Sequence, residues 1–279
     1  EYIVDNQRGI KDPIGMAGVR LETDAHLVTS SSIAVKNISR CVNEMGIEVA
    51  GLVYTGLASA YSCLTDTEKE LGVALVDIGG GTTSIAIYIE GACSFSAVIP
   101  IGARKVTDDL AIGLTVSLDS AEKIKYYLGA SLDPADKTPT DEISLTRLGL
   151  KEETKSVSRK TVVEGIIRPR LSEIFTLVGQ TIKKSGFASD IPSGIVLTGG
   201  GAMTIEASSC CKRVLQLPTR IGNPSGLSGL IEEISSPSYA AAVGLVLYGA
   251  SQQQVVQASK RPSLDSLVKK IPLKVTANK

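Results

Sequence analysis

One glycine-containing segment has the clearest alternation of apolar and polar positions in the chain. A short apolar run over 72–77 ends at Asp77 and is followed by the turn Gly79-Gly80-Gly81. Residues 82–90 then alternate regularly, and a third apolar run covers 92–99. A period of two over such short lengths is typical of β-strands. The pattern therefore predicts a three-stranded meander in which a strand, and not a helix, follows the glycines.

Helical spacing of apolar residues dominates much of the remaining chain. Three segments repeat apolar residues every three or four positions and end near a glycine, namely 33–45, 107–128 and 163–182. Pro169 either kinks the last of these helices or opens a second helix at its first turn. Two segments that are rich in small residues, 56–64 and 237–249, predict buried helices.

Shorter apolar stretches predict further strands. Residues 193–198 predict a strand that runs into a second glycine turn, and 143–158 fits two short strands. Residues 19–22 and 25–29 predict strands of a small sheet near the start of the chain. The polar, Pro-bearing stretch 131–142 predicts a loop. The expected class is therefore α/β.

The composition excludes several kinds of function. The 29 Lys and Arg residues balance 29 Asp and Glu residues, so the net charge gives no drive toward nucleic acid, and we expect no nucleic-acid partner. The single histidine, His26, excludes most histidine-based zinc sites. A Ser/His/Asp triad would require His26, and no nucleophile-elbow motif supports one. The five cysteines lack CxxC spacing and are expected to be reduced thiols. We expect no catalytic residue.

The first glycine turn has the composition of a phosphate-binding loop. Gly79, Gly80 and Gly81 allow backbone N–H groups to converge on an anion, and Thr82 and Thr83 add hydroxyl donors. Asp77 could hold Mg²⁺ through water, because Mg²⁺ keeps part of its hydration shell. The turn is neither a P-loop nor a dinucleotide-binding fingerprint, since no Gly-Lys-Ser/Thr and no helix follows. A simple hairpin turn is the alternative interpretation.

The second glycine turn strengthens the first. It lies about 120 residues further along, and comprises Gly199, Gly200, Gly201, Ala202 and Met203. Together with the intervening helix 121–129, the two turns resemble the signature of the actin, Hsp70 and sugar-kinase ATPases. The resemblance implies a two-lobed, ribonuclease-H-type α/β fold that binds ATP and Mg²⁺.

The same resemblance assigns roles to individual residues. It implies that the first turn is a phosphate hairpin, with Asp77 facing the metal, and that the second turn cups the adenosine. It also implies that Glu122 and Lys125, which share one face of a helix, contact the nucleoside. An exposed ion pair is the alternative for these two residues.

Longer segments resemble one family within this superfamily. Residues 55–88, 164–178, 193–203 and 237–249 are similar to the FtsA family of bacterial cell-division proteins, and residues 2–22 resemble its SHS2 insert, subdomain 1C. The resemblance covers about nine-tenths of the chain. The subdomain boundaries that it implies are 1–45 for a partial 1C, 46–70 with 236–250 for 1A, 71–109 with 186–235 for 2A, 110–185 for 2B, and 251–279 for a linker and tail.

The FtsA resemblance implies a function without classical enzymatic turnover. Members of this family are ATP-binding adaptors that polymerise and tether FtsZ filaments to the cytoplasmic membrane at the division septum, with slow ATPase activity at most. The FtsZ C-terminal tail is expected on 2B, where Arg168 and Arg170 are candidate contacts. The alternatives are a PilM-like scaffold of pilus assembly and an Hsp70-like or sugar-kinase-like phosphotransferase.

Two features depart from the family pattern. No first phosphate hairpin with an acidic strand end precedes Glu1, so we expect a truncated sequence that binds ATP weakly or not at all.

The tail 251–279 carries six basic residues against Asp265, hence a net charge of +5. Its apolar stripe and basic pair could anchor an interfacial helix in the inner leaflet, although Pro272 shortens that helix and a polar, disordered tail is the alternative. The predicted membrane contacts are Leu264, Leu267, Val268, Ile271, Lys269 and Lys270.

Overall fold

The structure is a computed structural model in which residues 2–10, 12–130, 142–146, 148–150, 156–229 and 234–259 are described. Its strands form three sheets. The strands are β1 (Tyr2–Val4), β2 (Gln7–Ile10), β3 (Leu21–Thr23), β4 (Val73–Ile78), β5 (Thr83–Ile89), β6 (Ala92–Ile99), β7 (Glu142–Ser144), β8 (Ser156–Ser158), β9 (Ile195–Thr198) and β10 (Thr219–Ile221).

A five-stranded mixed sheet with the order β10-β9-β4-β5-β6 forms the centre of the molecule. The strands β10, β9 and β4 are parallel, whereas β5 and β6 continue as an antiparallel meander from β4. All six residues of β4 are buried, as are all four of β9. Both strands therefore carry apolar side chains on both faces, as expected for strands covered on two sides.

Eight α-helices are described. They are α1 (Ser32–Glu44), α2 (Thr55–Cys63), α3 (Asp66–Leu71), α4 (Arg104–Leu114), α5 (Leu118–Ala130), α6 (Arg168–Ser185), α7 (Ala207–Leu215) and α8 (Ala240–Ser259). A π-helical segment, Thr161–Ile167, leads into α6, and 3₁₀ turns cover Gly200–Met203 and Pro237–Tyr239.

The two faces of the central sheet belong to different apolar cores. Val76 and Ile78 of β4 pack in the larger core, which also takes buried residues from α4, α5, α6 and α7. Leu75, which directly precedes Val76, packs in the smaller core with α2 and with Ala240 of α8. The alternation follows from the two-residue period of a strand. Asp77 follows Leu75 by two residues, so its side chain lies on the same face of the sheet. It therefore lies at the end of β4, on the side that α2 covers.

Most of the expected elements are confirmed, including the meander, the buried helix α2, and the small strands β7 and β8. Three expectations were wrong. The helix α8 forms, but it is only partly buried, since Leu245 and Val246 are 48% and 58% exposed. Residues 25–29 form no strand, since β3 ends at Thr23. The helix expected over 107–128 is two helices, because Thr115 adopts a left-handed conformation with φ 54° after α4 and Ser117 starts α5 by accepting a hydrogen bond from the Ser120 N–H.

Candidate functional site

A cavity of about 510 Å³ opens where β4 and β9 end and the two glycine turns meet. The carboxyl ends of parallel neighbouring strands lie at one sheet edge, which brings the turns together although they are distant in sequence. The lining residues come from both turns, from α4 and α5 and from the loops beside them: Gly80, Ala103, Arg104, Thr107, Asp108, Leu118, Asp119, Glu122, Lys125, Tyr126, Gly129, Gly200, Gly201, Met203, Thr204 and Ser238.

The structure brings about half of the expected site residues to this cavity. Those that line it are Gly80, Glu122, Lys125, Gly200, Gly201 and Met203. Asp77, Gly79, Gly81, Thr82, Thr83, Gly199 and Ala202 are not among its lining residues. Several of these seven residues instead pack in the core or form hydrogen bonds within the fold. Ala202 is buried in the larger core, and the Thr83 hydroxyl donates to the Ile101 carbonyl oxygen at 2.8 Å.

The first glycine turn is held against the beginning of α4. The N–H groups of Ala103 and Arg104 donate to the carbonyl oxygens of Gly79 and Gly80, each at 2.9 Å. A β-carbon added at Gly102 would lie 2.5 Å from both of these carbonyl oxygens. Glycine is therefore required at 102, because no side chain fits between the turn and the helix.

The second glycine turn also depends on close backbone approaches. Gly199 has φ 81°, and a β-carbon there would lie 2.3 Å from Oδ1 of Asp77. A β-carbon added at Gly129 of α5 would lie 2.5 Å from the Met203 carbonyl oxygen. These contacts place the second turn beside Asp77 on one side and against α5 on the other.

Asp77 is buried and held by a serine. Its side chain is 6% exposed, and Oδ2 accepts a 2.5 Å hydrogen bond from the Ser59 hydroxyl of α2. Burial raises the pKa of the Asp77 carboxyl above its usual range, and the Ser59 hydrogen bond only partly offsets this effect. The carboxylate thus lies behind the glycine turns, toward α2.

Glu122 and Lys125 belong to a three-residue network with Thr107. The Lys125 ammonium donates to Oε2 of Glu122 at 2.7 Å and to the Thr107 hydroxyl at 2.8 Å. The Thr107 hydroxyl donates in turn to Oε2 of Glu122 at 2.5 Å. Burial raises the pKa of Glu122, but the hydrogen bonds from Lys125 and Thr107 outweigh it, so that the pKa is lowered. An ionised carboxylate beside an ammonium therefore faces the cavity.

Arg168 and Arg170, the candidate partner contacts, are engaged within the chain. Arg170 forms two hydrogen bonds to Asp109 of α4, at 2.5 and 2.9 Å, and a further bond to Glu173. Arg168 pairs with Glu206 at 3.2 Å and with Glu164 at 3.5 Å. Each guanidinium therefore links α6, where it resides, to another element of the fold.

Sequence reasoning missed seven polar residues of the cavity: Arg104, Thr107, Asp108, Asp119, Tyr126, Thr204 and Ser238. Arg104, Thr107 and Asp108 lie in the first turns of α4, directly after the loop that closes on Gly80. Their proximity to that loop was the available signal, since a helix that starts beside a glycine turn points its first residues at the same space.

The comparison with protein families identifies the chain. The model described as "Cell division protein FtsA" matches residues 74–244, and the model described as "SHS2 domain inserted in FTSA" matches residues 1–29. The chain belongs to the FtsA family. This membership confirms the resemblance found in the sequence, and it decides against a PilM scaffold, an Hsp70 chaperone or a sugar kinase as the family.

Curated FtsA proteins align with most of this chain. It is 43% identical to the protein of Pseudomonas aeruginosa, over 91% of the chain and 60% of that relative. It is 40% identical to the protein of Borreliella burgdorferi, over 91% of the chain and 61% of the relative. For Escherichia coli the identity is 38%, over 89% and 60%. The chain thus spans about 60% of the length of these FtsA relatives.

Solved structures confirm the actin-like fold. MreB5 of Spiroplasma citri bound to ADP superposes with a TM-score of 0.64 at 21% identity, covering 82% of this chain and 68% of that one. The PilM–PilN type IV pilus biogenesis complex superposes with a TM-score of 0.58 at 19% identity, covering 77% and 57%. At such identities the likeness shows the fold that FtsA shares with these proteins.

Two findings concern membranes and metals. Among the described residues, no helix combines the length and apolar character needed to cross a bilayer. The same residues contain no group of three or more His, Cys, Asp or Glu side chains placed to hold a metal ion. The six predicted membrane contacts, Leu264, Leu267, Val268, Lys269, Lys270 and Ile271, lie outside the described residues.

Proposed function

We propose that this chain forms the ATP-binding part of an FtsA-type adaptor, which polymerises and tethers FtsZ filaments to the cytoplasmic membrane during cell division. The observation that carries the proposal is the meeting of Gly80 with Gly200 and Gly201 in one cavity. A cavity of about 510 Å³ is within the usual range for small-molecule and cofactor sites. The first glycine turn, which presents backbone groups to the cavity, suits phosphates. The end with the charged residues Glu122 and Lys125, called the charged end, suits a nucleoside.

The charged end of the cavity has the chemistry that a ribose requires. An ionised carboxylate only accepts hydrogen bonds, whereas the 2′- and 3′-hydroxyls of a ribose can donate them. Glu122 supplies such a carboxylate, and Lys125, three residues further along α5, supplies a hydrogen-bond donor beside it. Gly200 has no side chain to narrow the space available to an adenine, whereas the missing side chain of Gly201 leaves room for Ile78 and Ala103.

The nucleotide is proposed to bind together with magnesium. Because Asp77 is the single residue expected to face the metal and does not itself line the cavity, the site would suit an ion that keeps most of its water and binds mainly to phosphate oxygens. Asp77 would contribute through water, since its Oδ2 is engaged by Ser59 and its Oδ1 lies toward Gly199. When bound, the ion would neutralise phosphate charge. The chain would act as a nucleotide-dependent switch with slow hydrolysis at most.

Equilibrium titration with ATP, followed by NMR of the protein, tests the nucleotide site. We expect weak but saturable binding by this chain, and perturbed signals from Gly80, Gly200 and Glu122. Gly80→Ala is the matched variant, because a β-carbon there meets no atom within 4 Å and yet lines the cavity. It should fold normally and bind ATP less well. No perturbation of the cavity at millimolar ATP would contradict the proposal.

The FtsZ tail is proposed to dock on residues 110–185. Support for this position comes from the family resemblance, whereas Arg168 and Arg170 are already paired with Glu206 and Asp109. An acidic tail would have to compete with these carboxylates. A binding assay with an FtsZ C-terminal peptide tests the partner, and an unrelated peptide of equal charge is the control. Equal affinity for both peptides would contradict specific docking.

Residues 260–279 are proposed to bind the inner leaflet. Flotation with vesicles of anionic and of neutral lipid tests this, using the chain with and without these residues. We expect the deletion to abolish binding to anionic vesicles, because each basic residue near such a surface contributes about 1 kcal/mol. Undiminished flotation after the deletion would contradict the proposal.

A further inference from the structure

Thr107 connects the two charged residues of the cavity to a different helix. Its side chain lies on α4 and is 4% exposed, whereas Glu122 and Lys125 both lie on α5. A hydroxyl group offers one donor and two acceptor positions. The Thr107 hydrogen is directed at Oε2 of Glu122, and one of its lone pairs accepts from the Lys125 ammonium. The direction of each hydrogen bond is thereby fixed.

Without this hydroxyl the two charged residues would form an ordinary pair within one helix. Such pairs between exposed groups are weak, because the side chains lose rotamer freedom and the charges are screened by water. The Glu122 side chain is 57% exposed, so the Lys125 contact alone would leave the carboxylate largely unrestrained. A third partner that is buried on a neighbouring helix restricts both groups.

The geometry points to Thr107 as a positioning residue for the nucleoside end of the cavity: its hydroxyl orients the Glu122 carboxylate and the Lys125 ammonium that face the bound ribose. This inference rests on the proposed nucleotide function. Thr107 itself lines the cavity, but its hydroxyl is occupied by the two neighbours, so that it acts through them.

The first experiment requires no nucleotide. The pKa of Glu122 is measured by ¹³C NMR of its side-chain carboxyl in wild-type protein and in Thr107→Val and Thr107→Ser. We expect the pKa to rise in Thr107→Val and to stay low in Thr107→Ser, which retains the hydroxyl. Thr107→Ala is a second variant that lacks the hydroxyl. Unlike Thr107→Val it places no new methyl group at the buried site, so it can be used if Thr107→Val does not fold. An unchanged pKa in the variants that lack the hydroxyl would overturn the inference.

Nucleotide binding supplies the second readout. ATP is compared with 2′,3′-dideoxy-ATP, which lacks the ribose hydroxyls. Thr107→Val should bind ATP about tenfold more weakly, as expected for one lost hydrogen bond to a charged group, and dideoxy-ATP less than twofold more weakly. Thr107→Ser should recover most of the ATP affinity. Equal losses for both nucleotides would indicate a merely structural role and would overturn the inference.

A matched control and the two failure modes complete the design. Thr176→Val removes a helical hydroxyl from α6 that donates to the Ser172 carbonyl oxygen, and should change neither readout. If wild-type protein binds no ATP, the proposed function fails and the role of Thr107 fails with it. If wild-type protein binds ATP and Thr107→Val discriminates the two nucleotides as wild type does, only the inference about Thr107 fails.

Discussion

The hydroxyl oxygen of Ser59 lies 2.5 Å from Oδ2 of Asp77, and this hydrogen bond joins α2 to the end of β4. Both side chains are buried, at 0% and 6% exposure. The bond explains why Asp77, although it directly precedes the first glycine turn, is not among the residues that line the cavity. A buried carboxylate with one hydrogen-bond donor is destabilised in its charged form.

Replacing Asp77 by Asn is expected to stabilise the fold at neutral pH. Burial raises the pKa of Asp77 above its unfolded value, so its contribution to stability is complete below the unfolded pKa and is lost as the pH rises through the folded pKa. At pH 7 Asp77→Asn should therefore gain about 0.5–2 kcal/mol, as relief of a functional-site penalty commonly does. Denaturant unfolding from pH 3 to pH 8 measures the difference between the two proteins.

The gain should shrink toward acidic pH, where wild-type Asp77 is protonated. Asp24→Asn removes a carboxyl from an exposed site and controls for the change in net charge. A gain for Asp77→Asn that is largest at pH 3 would show that burial of Asp77 is not the cause.

Gly102→Ala should destabilise the protein and disturb the cavity. The new β-carbon would lie 2.5 Å from the Gly79 and Gly80 carbonyl oxygens, so the turn must move away from α4. We expect a loss of about 1–3 kcal/mol, the usual cost of forcing extra volume into a packed site. Gly81→Ala is the control, because a β-carbon there meets no atom within 4 Å. Equal stability of the two variants in urea would refute the close approach at Gly102.

Arg220→Ala should destabilise the fold in a pH-dependent manner. Arg220 holds both carboxylate oxygens of Glu68, at 2.6 and 2.7 Å, and donates to the Cys63 carbonyl oxygen. Burial raises the pKa of Glu68, but hydrogen bonds from Arg220 and Thr65 outweigh it and lower the pKa. The variant should lose about 1–3 kcal/mol at pH 7, the typical worth of a charge-assisted hydrogen bond.

The sign of that pH dependence is opposite to the one expected for Asp77. Because the folded pKa of Glu68 is lowered, its contribution is present above the unfolded pKa and is lost as the pH falls through the folded pKa. The stability difference between wild type and Arg220→Ala should therefore diminish below about pH 4.5. Thermal unfolding of both proteins at pH 3, 5 and 7 measures this difference. A difference that is the same at all three pH values would show that the Glu68 pair contributes nothing.

Variants at Arg170 and Asp109 separate a structural role from partner binding. Arg170→Ala should cost about 1–3 kcal/mol, because it leaves Asp109 partly buried without its bidentate partner. Asp109→Ala instead releases Arg170 from one of its two carboxylates. If the FtsZ tail binds Arg170, Asp109→Ala should bind the tail peptide more tightly than wild type does, and Arg170→Ala less tightly. Unchanged peptide affinity in both variants would exclude Arg170 as a contact.

A shared site at the two glycine turns was expected from their resemblance to the actin-like signature, and the sheet supplies the physical reason why they meet. Two apolar runs that each end in glycines become parallel neighbours, β4 and β9, and their turns then meet by the geometry of the sheet. Glu122 and Lys125 were assigned through the family resemblance, and their spacing placed them on one face of a helix. Ser59 and Thr107 were missed, because each acts across an interface between elements that no local pattern reports.

Errors in the secondary structure have similarly local causes. Residues 25–29 have the apolar content of a strand but no described neighbouring strand pairs with them. The break between α4 and α5 had a usable signal, since Ser117 precedes Asp119 and caps the second helix. That signal was outweighed by an apolar spacing that continues across Thr115.

The pairing of β4 with β9 has a consequence for how the polypeptide acquires its shape. Ala74 lies beside Ile195, so the central ladder joins residues that are about 120 positions apart in the chain. On a ribosome, β4 and its meander emerge long before their parallel partner is synthesised. Contacts of such large sequence separation slow folding, and unpaired strand edges invite association with other chains in the meantime. The residues between β6 and β9 have to be synthesised before the ladder can close, so we expect sheet closure to come late in the maturation of the protein.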